Sequence, residues 1–282
     1  MTAGPHTLIL GHETKIMGVI NLTPDSFSHD GILIKSTTGV SSRALLFAQQ
    51  LIKEGADLID VGGESSRPGA KPISIEEELK RVLPVVKTLA KKITVPISVD
   101  TYKNEVAQAA LENGATIINN IMGTKPQKNL LRMVKNYDAA IVLMHMRGTP
   151  RSMQKNIYYK NLIMKIIDSL KSAIEKCLEI GIKSDKIIID PGIGFGKTLE
   201  QNCEIIQRLR EFAALQQPLL IGTSRKSFIG KILDKDVHHR LYGTLASIGV
   251  SIFNGAHIIR AHDVEAVKET ALVIDAIIKK NH

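Results

Sequence analysis

The stretch KIIIDPGIGFGK, residues 186–197, contains the features that decide the fold. It begins with a short run of β-branched residues without polar alternation, which is typical of a strand buried on both faces of a parallel sheet. The run ends at an acid, Asp190, and three glycines follow before TLEQ (198–201), a capping sequence that predicts the start of a helix. The stretch therefore predicts a buried strand, a tight loop and a helix in direct succession.

The same order recurs along the whole chain. Segments with helical periodicity separate seven further apolar runs, which are KIMGVINL (15–22), DLIDVGG (57–63), VPISVD (95–100), TIINNI (116–121), AIVLMHM (140–146), PLLIGTS (218–224) and HIIRAHD (257–263). Eight strands that alternate with helices predict a single-domain (β/α)8 TIM barrel, with a doubly wound sheet as the alternative. We expect residues 16–282 to form the barrel and residues 1–15 to form an extension, a lid or hairpin under it. Pro84 lies inside a helical pattern, where we expect it to bend or break the helix.

The composition disfavours several functional classes. The hydrophobic fraction of 44% is normal for a soluble protein, and no apolar run approaches the roughly 20 residues of a membrane span. The net charge of +9 favours an anionic partner, but the basic residues are scattered and aromatic residues make up only 4% of the chain, which disfavours nucleic acid. Two cysteines without metal-binding spacing indicate reduced thiols in a cytoplasmic protein. We therefore expect small-molecule ligands, with neither nucleic acid nor a membrane as partner.

Each predicted strand leads into polar groups that a core does not favour. In a barrel these positions surround the carboxyl-terminal mouth, where barrel enzymes have their active sites. The residues are Asn21, Ser66, Arg67, Asp100, Asn119, Asn120, His145, Asp190, Arg225, Lys226, Arg260, His262 and Asp263. An acid after a strand is more often a helix cap than a ligand, but capping does not explain why every strand ends in this way.

These polar residues have two kinds of chemistry. Asp100, Asn119 and Asp190 offer acceptors and one amide donor, which suits a flat heterocycle with exocyclic amines. Positive charge for phosphate or carboxylate comes from a second group, which consists of Arg67, Arg225, Lys226, Arg260 and His262. Asn21 adds a neutral oxygen that suits a hard cation such as Mg²⁺. The combination indicates a site that joins a nitrogen heterocycle to an anionic group, and the lack of a Ser–His–Asp order or a cysteine nucleophile argues against covalent catalysis.

The chain resembles the dihydropteroate synthase family over residues 16–264. The motifs that carry the resemblance occur in the family's order and are MGVINLTPDSFS, IDVGGESSRPGA, SVDTYK, IINN, LMHMRGTP, IIDPGIGFGKT, GTSRKSFIG and IIRAHDV. The resemblance implies a TIM-barrel transferase of folate biosynthesis that condenses (7,8-dihydropterin-6-yl)methyl diphosphate with 4-aminobenzoate, releases diphosphate and is a target of sulfonamides. It also implies Mg²⁺ as cofactor and a homodimer. The alternative is a methyltetrahydrofolate-dependent methyltransferase, which would share the pterin pocket but lack TPDSFS, SRPGA and RAHD.

The resemblance also implies roles for single residues. The implied pterin site consists of Asp100, Asn119, Met144, Asp190, Phe195 and Lys226. The implied diphosphate site consists of Asn21, which is also the Mg²⁺ ligand, Ser66, Arg260, Ala261 and His262. The residues implied around aminobenzoate are Phe27, Ser66, Arg67, Pro68, Lys226 and Ser227. The expected catalytic set, which stabilises charge while diphosphate leaves and the aniline nitrogen attacks, is Asp100, Asp190, Lys226, Arg260 and His262.

Three positions depart from the family pattern. Ser66 stands where threonine is usual and keeps the hydroxyl group. Asn120 stands where an aspartate is usual, which removes one negative charge near the pocket. The first loop reads SHDGI (28–32) in place of an SDGG type, so the roles of Asp25 and Asp30 stay open. Lys197 we interpret as a lysine at the start of a helix or on the surface.

Overall fold

The structure is a computed structural model that describes residues 1–23, 39–67 and 69–278. Ten strands occur within these ranges: β1 (Thr2–Ala3), β2 (His6–Thr7), β3 (Lys15–Asn21), β4 (Leu58–Gly62), β5 (Ile97–Asp100), β6 (Ile117–Asn120), β7 (Ala140–Met144), β8 (Ile187–Asp190), β9 (Leu220–Ile221) and β10 (Ile258–Ala261). The α-helices of the same ranges are α1 (Val40–Lys53), α2 (Ile75–Ala90), α3 (Asn104–Glu112), α4 (Lys128–Asn136), α5 (Leu162–Ile180), α6 (Leu199–Gln207), α7 (Ser227–Leu233), α8 (Leu241–Phe253) and α9 (Val264–Ile278). None of these described helices has the length and apolar character that crossing a bilayer requires.

Strands β3 to β10 form one parallel sheet that closes on itself. Their order in the sheet is β8-β7-β6-β5-β4-β3-β10-β9, and a parallel bridge between Ile189 of β8 and Leu219, which precedes β9, joins the two edges. Closure removes the sheet edges, and the helices that follow the strands cover the outside. The predicted single-domain (β/α)8 barrel is therefore confirmed.

The first two strands close the amino-terminal end of the barrel. β1 and β2 form an antiparallel hairpin, and Ala3 and Leu8 belong to the same buried apolar cluster as Met17, Leu58 and Ile117 of the barrel strands. This cluster forms an apolar floor across the amino-terminal end of the barrel. The division of the chain into an extension of residues 1–15 and a domain of residues 16–282 stays a prediction.

Alternation along the strands separates the barrel interior from its helix-covered face. In β4, Ile59 and Val61 pack in the large cluster between strands and helices, whereas Leu58 belongs to the floor. Because successive side chains of a strand point to opposite faces, Asp60 and Gly62 share the interior face with Leu58. An apolar floor is thus followed, nearer the mouth, by polar residues.

Helix α2 does not break at Pro84, so a break there was the wrong expectation, whereas a bend stays a prediction. The helix continues from Ile75 to Ala90 with the proline inside it. A proline removes the hydrogen bond to the carbonyl group four residues earlier and crowds that group, and that residue, Lys80, lies on the solvent-exposed face of the helix. Val82 and Val85 are buried against the barrel, and their packing stabilises the helix on both sides of the proline.

Candidate active site

The ends of the barrel strands bring the predicted polar residues into one interior space. Asn21, Asp100 and Asp190 are the last residues of β3, β5 and β8, and Asn119 is the next-to-last residue of β6. The register pairs Asp100 with both Gly62 and Asn119 in neighbouring strands. A Cβ atom added at Gly62 would lie 3.6 Å from the Cβ of Asp100 and 3.7 Å from Oδ1 of Asn21, so this glycine keeps the space between the two side chains open.

Asp60 is the centre of a buried hydrogen-bond network below the mouth. Its side chain has no exposed surface, and its Oδ2 accepts from Nε of Arg260 at 2.7 Å and from Nδ2 of Asn119 at 3.2 Å. Its Oδ1 accepts from Oγ of Ser98 at 2.6 Å. Nη2 of Arg260 also donates to Oδ2 of Asp100 at 3.2 Å. The guanidinium group of Arg260 therefore donates hydrogen bonds to two carboxylates, and the bond to the buried Asp60 fixes its orientation.

Burial penalises charge at the acids and at the lysine of the site. It raises the pKa of Asp100, and the neighbouring Arg260 opposes this shift. It also raises the pKa of Asp190, opposed chiefly by Lys226. Burial lowers the pKa of Lys226 to about 8, with Asp190 acting in the opposite direction. Buried charged groups of this kind interact more strongly with a complementary ligand than the same groups would in water.

His262 is held between two neutral partners and is itself neutral. Its Nε2 lies 3.4 Å from Nδ2 of Asn21, and its Nδ1 lies 3.1 Å from Oγ of Ser224. Burial first, and the charge of Arg260 second, lower the pKa of His262 to about 3. In the free protein the lowered pKa favours a neutral, hydrogen-bonding imidazole, so it does not support the expectation that His262 contributes positive charge.

Lys226 and Phe195 form the boundary between the charged and the apolar part of the site. Nζ of Lys226 donates to the carbonyl oxygen of Ile193 and lies 4.8 Å from the ring centroid of Phe195. Phe195 in turn packs against a buried apolar cluster that includes Met144 and Met153. Aromatic and thioether surface thus adjoins a cation, an arrangement that suits a flat, polar ring.

The other predicted residues lie at different depths. Ser66 lines a small cavity together with Asp100, whereas Arg67 and Ser227 are exposed. Ala261 is fully buried in the cluster between strands and helices, so only its backbone is available to a ligand in the barrel. Four residues lie outside the described part of the chain, namely Phe27, Pro68, Asp25 and Asp30.

Arg225 is paired within the protein. Its Nε and Nη2 donate to the two carboxylate oxygens of Asp263 at 3.0 and 2.5 Å. This bidentate pair connects the loop after β9 to the end of β10. Nε and Nη2 are thereby engaged with Asp263 in this conformation, and the expectation that Arg225 offers its charge to a substrate anion stays a prediction.

Lys197 is buried, so its interpretation as a surface lysine was wrong. Only 3% of the residue is exposed, and its Nζ lies 3.1 Å from Nδ1 of His145. Burial, and then the charge of Lys197, lower the pKa of His145 to about 2. His145, expected at the mouth of the barrel, is thus a neutral residue packed beside this lysine.

Three functional candidates escaped the sequence analysis, and one of them had a usable signal. Asp60 is an acid in the middle of the run DLIDVGG (57–63), and a charge in a strand buried on both faces requires a partner. Its position two residues before Gly62 places it on the interior face. Ser224 and Lys197 had no comparable signal, because the contacts of Ser224 with His262 and of Lys197 with His145 join distant parts of the chain.

Comparisons with known proteins agree with this geometry. Residues 17–262 match the family model described as "Pterin binding enzyme". A dihydropteroate synthase of Synechocystis sp. is 41% identical over 95% of the chain and 91% of its own length. Solved structures are also similar. The structure of Yersinia pestis dihydropteroate synthase in a sulfonamide drug complex has a TM-score of 0.91 and is 38% identical over 99% of both chains. That of dihydropteroate synthase from Clostridium difficile, determined in the presence of pteroic acid, has a TM-score of 0.88 and 41% identity over 97% of this chain and 100% of its own.

The level and the extent of these similarities decide the family. Identity near 40% extends over nearly the whole chain, and the relatives that share it are synthases, so the methyltransferase alternative is not favoured. The chain belongs to the dihydropteroate synthase family of pterin-binding enzymes, which are transferases.

Proposed function

We propose that this chain condenses (7,8-dihydropterin-6-yl)methyl diphosphate with 4-aminobenzoate to 7,8-dihydropteroate and diphosphate. The observation that carries the proposal is the convergence of Asp100, Asn119 and Asp190 with Lys226 and Arg260 inside one barrel mouth. Acceptors for a pterin and cations for a diphosphate lie side by side there. The similar structures with pteroic acid and with a sulfonamide drug support the same assignment.

The pterin is proposed to lie deepest, on Asp190 and Asn119. Because Nδ2 of Asn119 donates to Asp60, its Oδ1 is the atom left to accept from a ring N–H or amino group. Asp190 already accepts from the backbone N–H of Gly192 at 2.7 Å, and its second oxygen is proposed to accept from the pterin. Lys226 is proposed to exchange the carbonyl oxygen of Ile193 for a ring acceptor, and Phe195 to cover the ring face.

The diphosphate is proposed to lie nearer the surface, between Asn21, Ser66, Arg260, His262 and the backbone of Ala261. The donor set fits a magnesium ion that is held mainly by substrate. The described residues contain no cluster of three or more His, Cys, Asp or Glu that could hold a metal, and Mg²⁺ commonly combines one protein oxygen with substrate phosphates and waters. Oδ1 of Asn21 would hold the ion, since Nδ2 faces His262, and bound Mg²⁺ would neutralise charge on the leaving group.

The chemistry is proposed to be dissociative. The C–O bond to diphosphate breaks with its electron pair on oxygen, and the cationic pterin methylene is stabilised by the carboxylates of Asp100 and Asp190. Arg260 and a neutral, hydrogen-bonding His262 stabilise the departing anion. The lone pair of the aniline nitrogen then forms the C–N bond, and the nitrogen loses one proton. Ser66, Arg67 and Ser227, together with Phe27 and Pro68 outside the described residues, are proposed to surround aminobenzoate.

The purified protein is expected to release diphosphate only when pterin diphosphate, 4-aminobenzoate and Mg²⁺ are present together. A coupled assay for diphosphate, with mass spectrometry of the pteroate product, measures this. Omitting aminobenzoate is the matched control, because it separates synthase turnover from hydrolysis of the pterin diphosphate. Diphosphate release that does not depend on aminobenzoate would contradict the proposal, and equal activity in excess EDTA would contradict the magnesium assignment.

We propose that two copies of the chain associate through α8 and α9. These helices pack against each other and expose large apolar side chains, which are Tyr242, Val250, Phe253, Leu272, Val273 and Ile277. Large exposed apolar side chains on two helices that pack together favour an interface. Light scattering is expected to give twice the 30.9 kDa mass of one chain, and Val273→Asp is expected to shift it toward the monomer, while Leu46→Asp on α1 leaves it unchanged. A monomeric mass for the wild type would contradict the proposal.

The enzyme is also proposed to work in the cytoplasm. Both cysteines are free thiols in the structure, and burial raises the pKa of Cys177 to about 12, which keeps this thiol unreactive. Cell fractionation with an antibody against the chain tests the location. Recovery with the membrane or secreted fraction would contradict it.

A further inference from the structure

The ammonium group of Lys197 is enclosed by the backbone of the loop that precedes it. Nζ donates to the carbonyl oxygens of Gly192 at 2.8 Å, Phe195 at 3.0 Å and His145 at 3.1 Å. The first two belong to the loop after β8, here called the glycine loop (residues 191–196), and the third follows β7. Lys197 therefore connects the ends of two adjacent strands of the barrel, β7 and β8.

Glycine makes this enclosure possible. Gly192 has a φ of +72°, and a Cβ atom there would lie 2.0 Å from the carbonyl oxygen of His145 and 3.2 Å from Nζ of Lys197. Carbonyl dipoles that converge on one point repel each other unless a cation or donor lies between them. The side chain of Lys197 supplies that donor, so the loop conformation depends on it.

The glycine loop carries or contacts three parts of the proposed pterin site. The carboxylate of Asp190 accepts from the N–H of Gly192 at 2.7 Å, so the position of this glycine orients the acid. Phe195 lies at the far end of the loop and touches the apolar cluster at the mouth. Between them, the carbonyl oxygen of Ile193 accepts from Lys226. Two lysines thus hold the same loop, since Lys226 donates to Ile193 and Lys197 donates to Gly192 and Phe195.

We propose that Lys197 is a positioning residue for the pterin site, which holds the glycine loop in the conformation that aims Asp190 and Phe195 at the ring. It acts through these residues and does not touch substrate. The inference rests on the proposed function, because it assumes that a pterin occupies this site. An apolar side chain would fill the same space without the cost of burying an amine. Burial lowers the pKa of Lys197 to about 7, and the hydrogen bonds to the loop compensate for that cost.

The test compares Lys197→Met, which keeps length and removes the donors, with Lys171→Met, an exposed lysine on α5. The probe is 6-hydroxymethylpterin, which has the ring but no leaving group, and calorimetry measures its binding. We expect Lys197→Met to weaken binding about 10- to 100-fold, the range typical of residues that support a binding site. We also expect kcat/KM for pterin diphosphate to fall, while KM for aminobenzoate at saturating pterin changes less than about twofold. Lys226→Met, a proposed direct contact, is the positive control.

A second variant guards against a failure to fold. Lys197→Gln keeps an amide donor near the carbonyl groups, and it is expected to fold and to bind the pterin with intermediate affinity. Wild-type affinity in both variants would overturn the inference, and so would an equal loss of affinity for both substrates together with a lower melting temperature. Pterin binding by the wild type without aminobenzoate-dependent turnover would contradict the proposed function alone, because the calorimetric comparison still decides the role of Lys197.

Discussion

Replacing Arg260 by methionine is expected to lower the free energy of unfolding by about 3–5 kcal/mol, the usual result of removing one partner of a buried ion pair. Arg260 donates to Asp60 at 2.7 Å and to Asp100 at 3.2 Å. The side chain of Asp60 has no exposed surface, so the variant leaves a buried carboxylate in the barrel interior without its cationic partner. Synthase turnover is expected to disappear as well, since the proposed diphosphate site loses its fixed cation. Urea unfolding and the diphosphate assay measure the two effects.

The control for Arg260 lies on the protein surface. Arg208 pairs with Glu204 and Glu211 and keeps 38% of its side chain exposed, and Arg208→Met is expected to cost less than about 1 kcal/mol. In the double variant Arg260→Met/Asp60→Asn, the neutral amide should recover part of the stability but none of the activity. A loss of stability in Arg260→Met no larger than that in Arg208→Met would show that Asp60 does not depend on this guanidinium group.

Replacing Lys103 by methionine is expected to cost a similar amount, about 3–5 kcal/mol. Nζ of Lys103 donates to Glu78 at 2.6 Å, to Glu64 at 2.7 Å and to the carbonyl oxygen of Ile73 at 2.8 Å. Glu78 is 1% exposed, and its Oε1 is buried with no hydrogen-bond partner among the residues that the structure describes. Without the lysine, two carboxylates would share a buried site with no cation, and the loop after β4 would lose its attachment to α2 and α3. Lys80→Met, at an exposed position of α2, is the control.

The stabilisation that Lys103 provides depends on pH, and the direction of this dependence follows from the pKa of the lysine. Burial alone would lower the pKa of Lys103, but the hydrogen bonds to Glu64 and Glu78 outweigh it and raise the pKa. The stabilisation is therefore fully present at neutral pH and is lost as the pH rises through the raised pKa of the lysine. The loss of stability in Lys103→Met relative to wild type should therefore be largest at neutral pH and shrink as the pH rises through the raised pKa of the lysine. A loss of stability that grows toward alkaline pH in urea titrations would contradict this account.

Much of the barrel could be predicted because short-range patterns decide it. A strand buried on both faces must be apolar along its whole length, and the runs that contain β3 and β8 satisfy this requirement. The interior position of Asp100 and Asp190 follows from their place at strand ends, which any parallel barrel brings together. The orientation of the Asn119 amide could not be predicted, since it depends on a hydrogen bond to Asp60 across 59 residues of chain.

The errors have a physical cause, which is that packing and partners in the folded chain override local expectation. Lys197 lies next to a helix start, where a lysine is usually solvated, but the fold brings the carbonyl oxygen of His145, 52 residues earlier, against its Nζ. The pairing of Arg225 with Asp263, 38 residues later, likewise had no local signal. Pro84 looked like a helix breaker, yet buried neighbours such as Val85 keep the helix continuous.

The apolar floor of the barrel also decides by which end substrates and products enter and leave. Ala3 and Leu8 pack against Met17, Leu58 and neighbouring inward residues, so the amino-terminal end is sealed and molecules must pass through the mouth. If the pterin lies on Asp190 as proposed, it lies behind its own diphosphate and behind aminobenzoate. We then expect the pterin substrate to bind before aminobenzoate, and diphosphate and the product to leave through the same opening. The hairpin, although it lies far from the proposed reacting atoms, would in this way impose an order on the catalytic cycle.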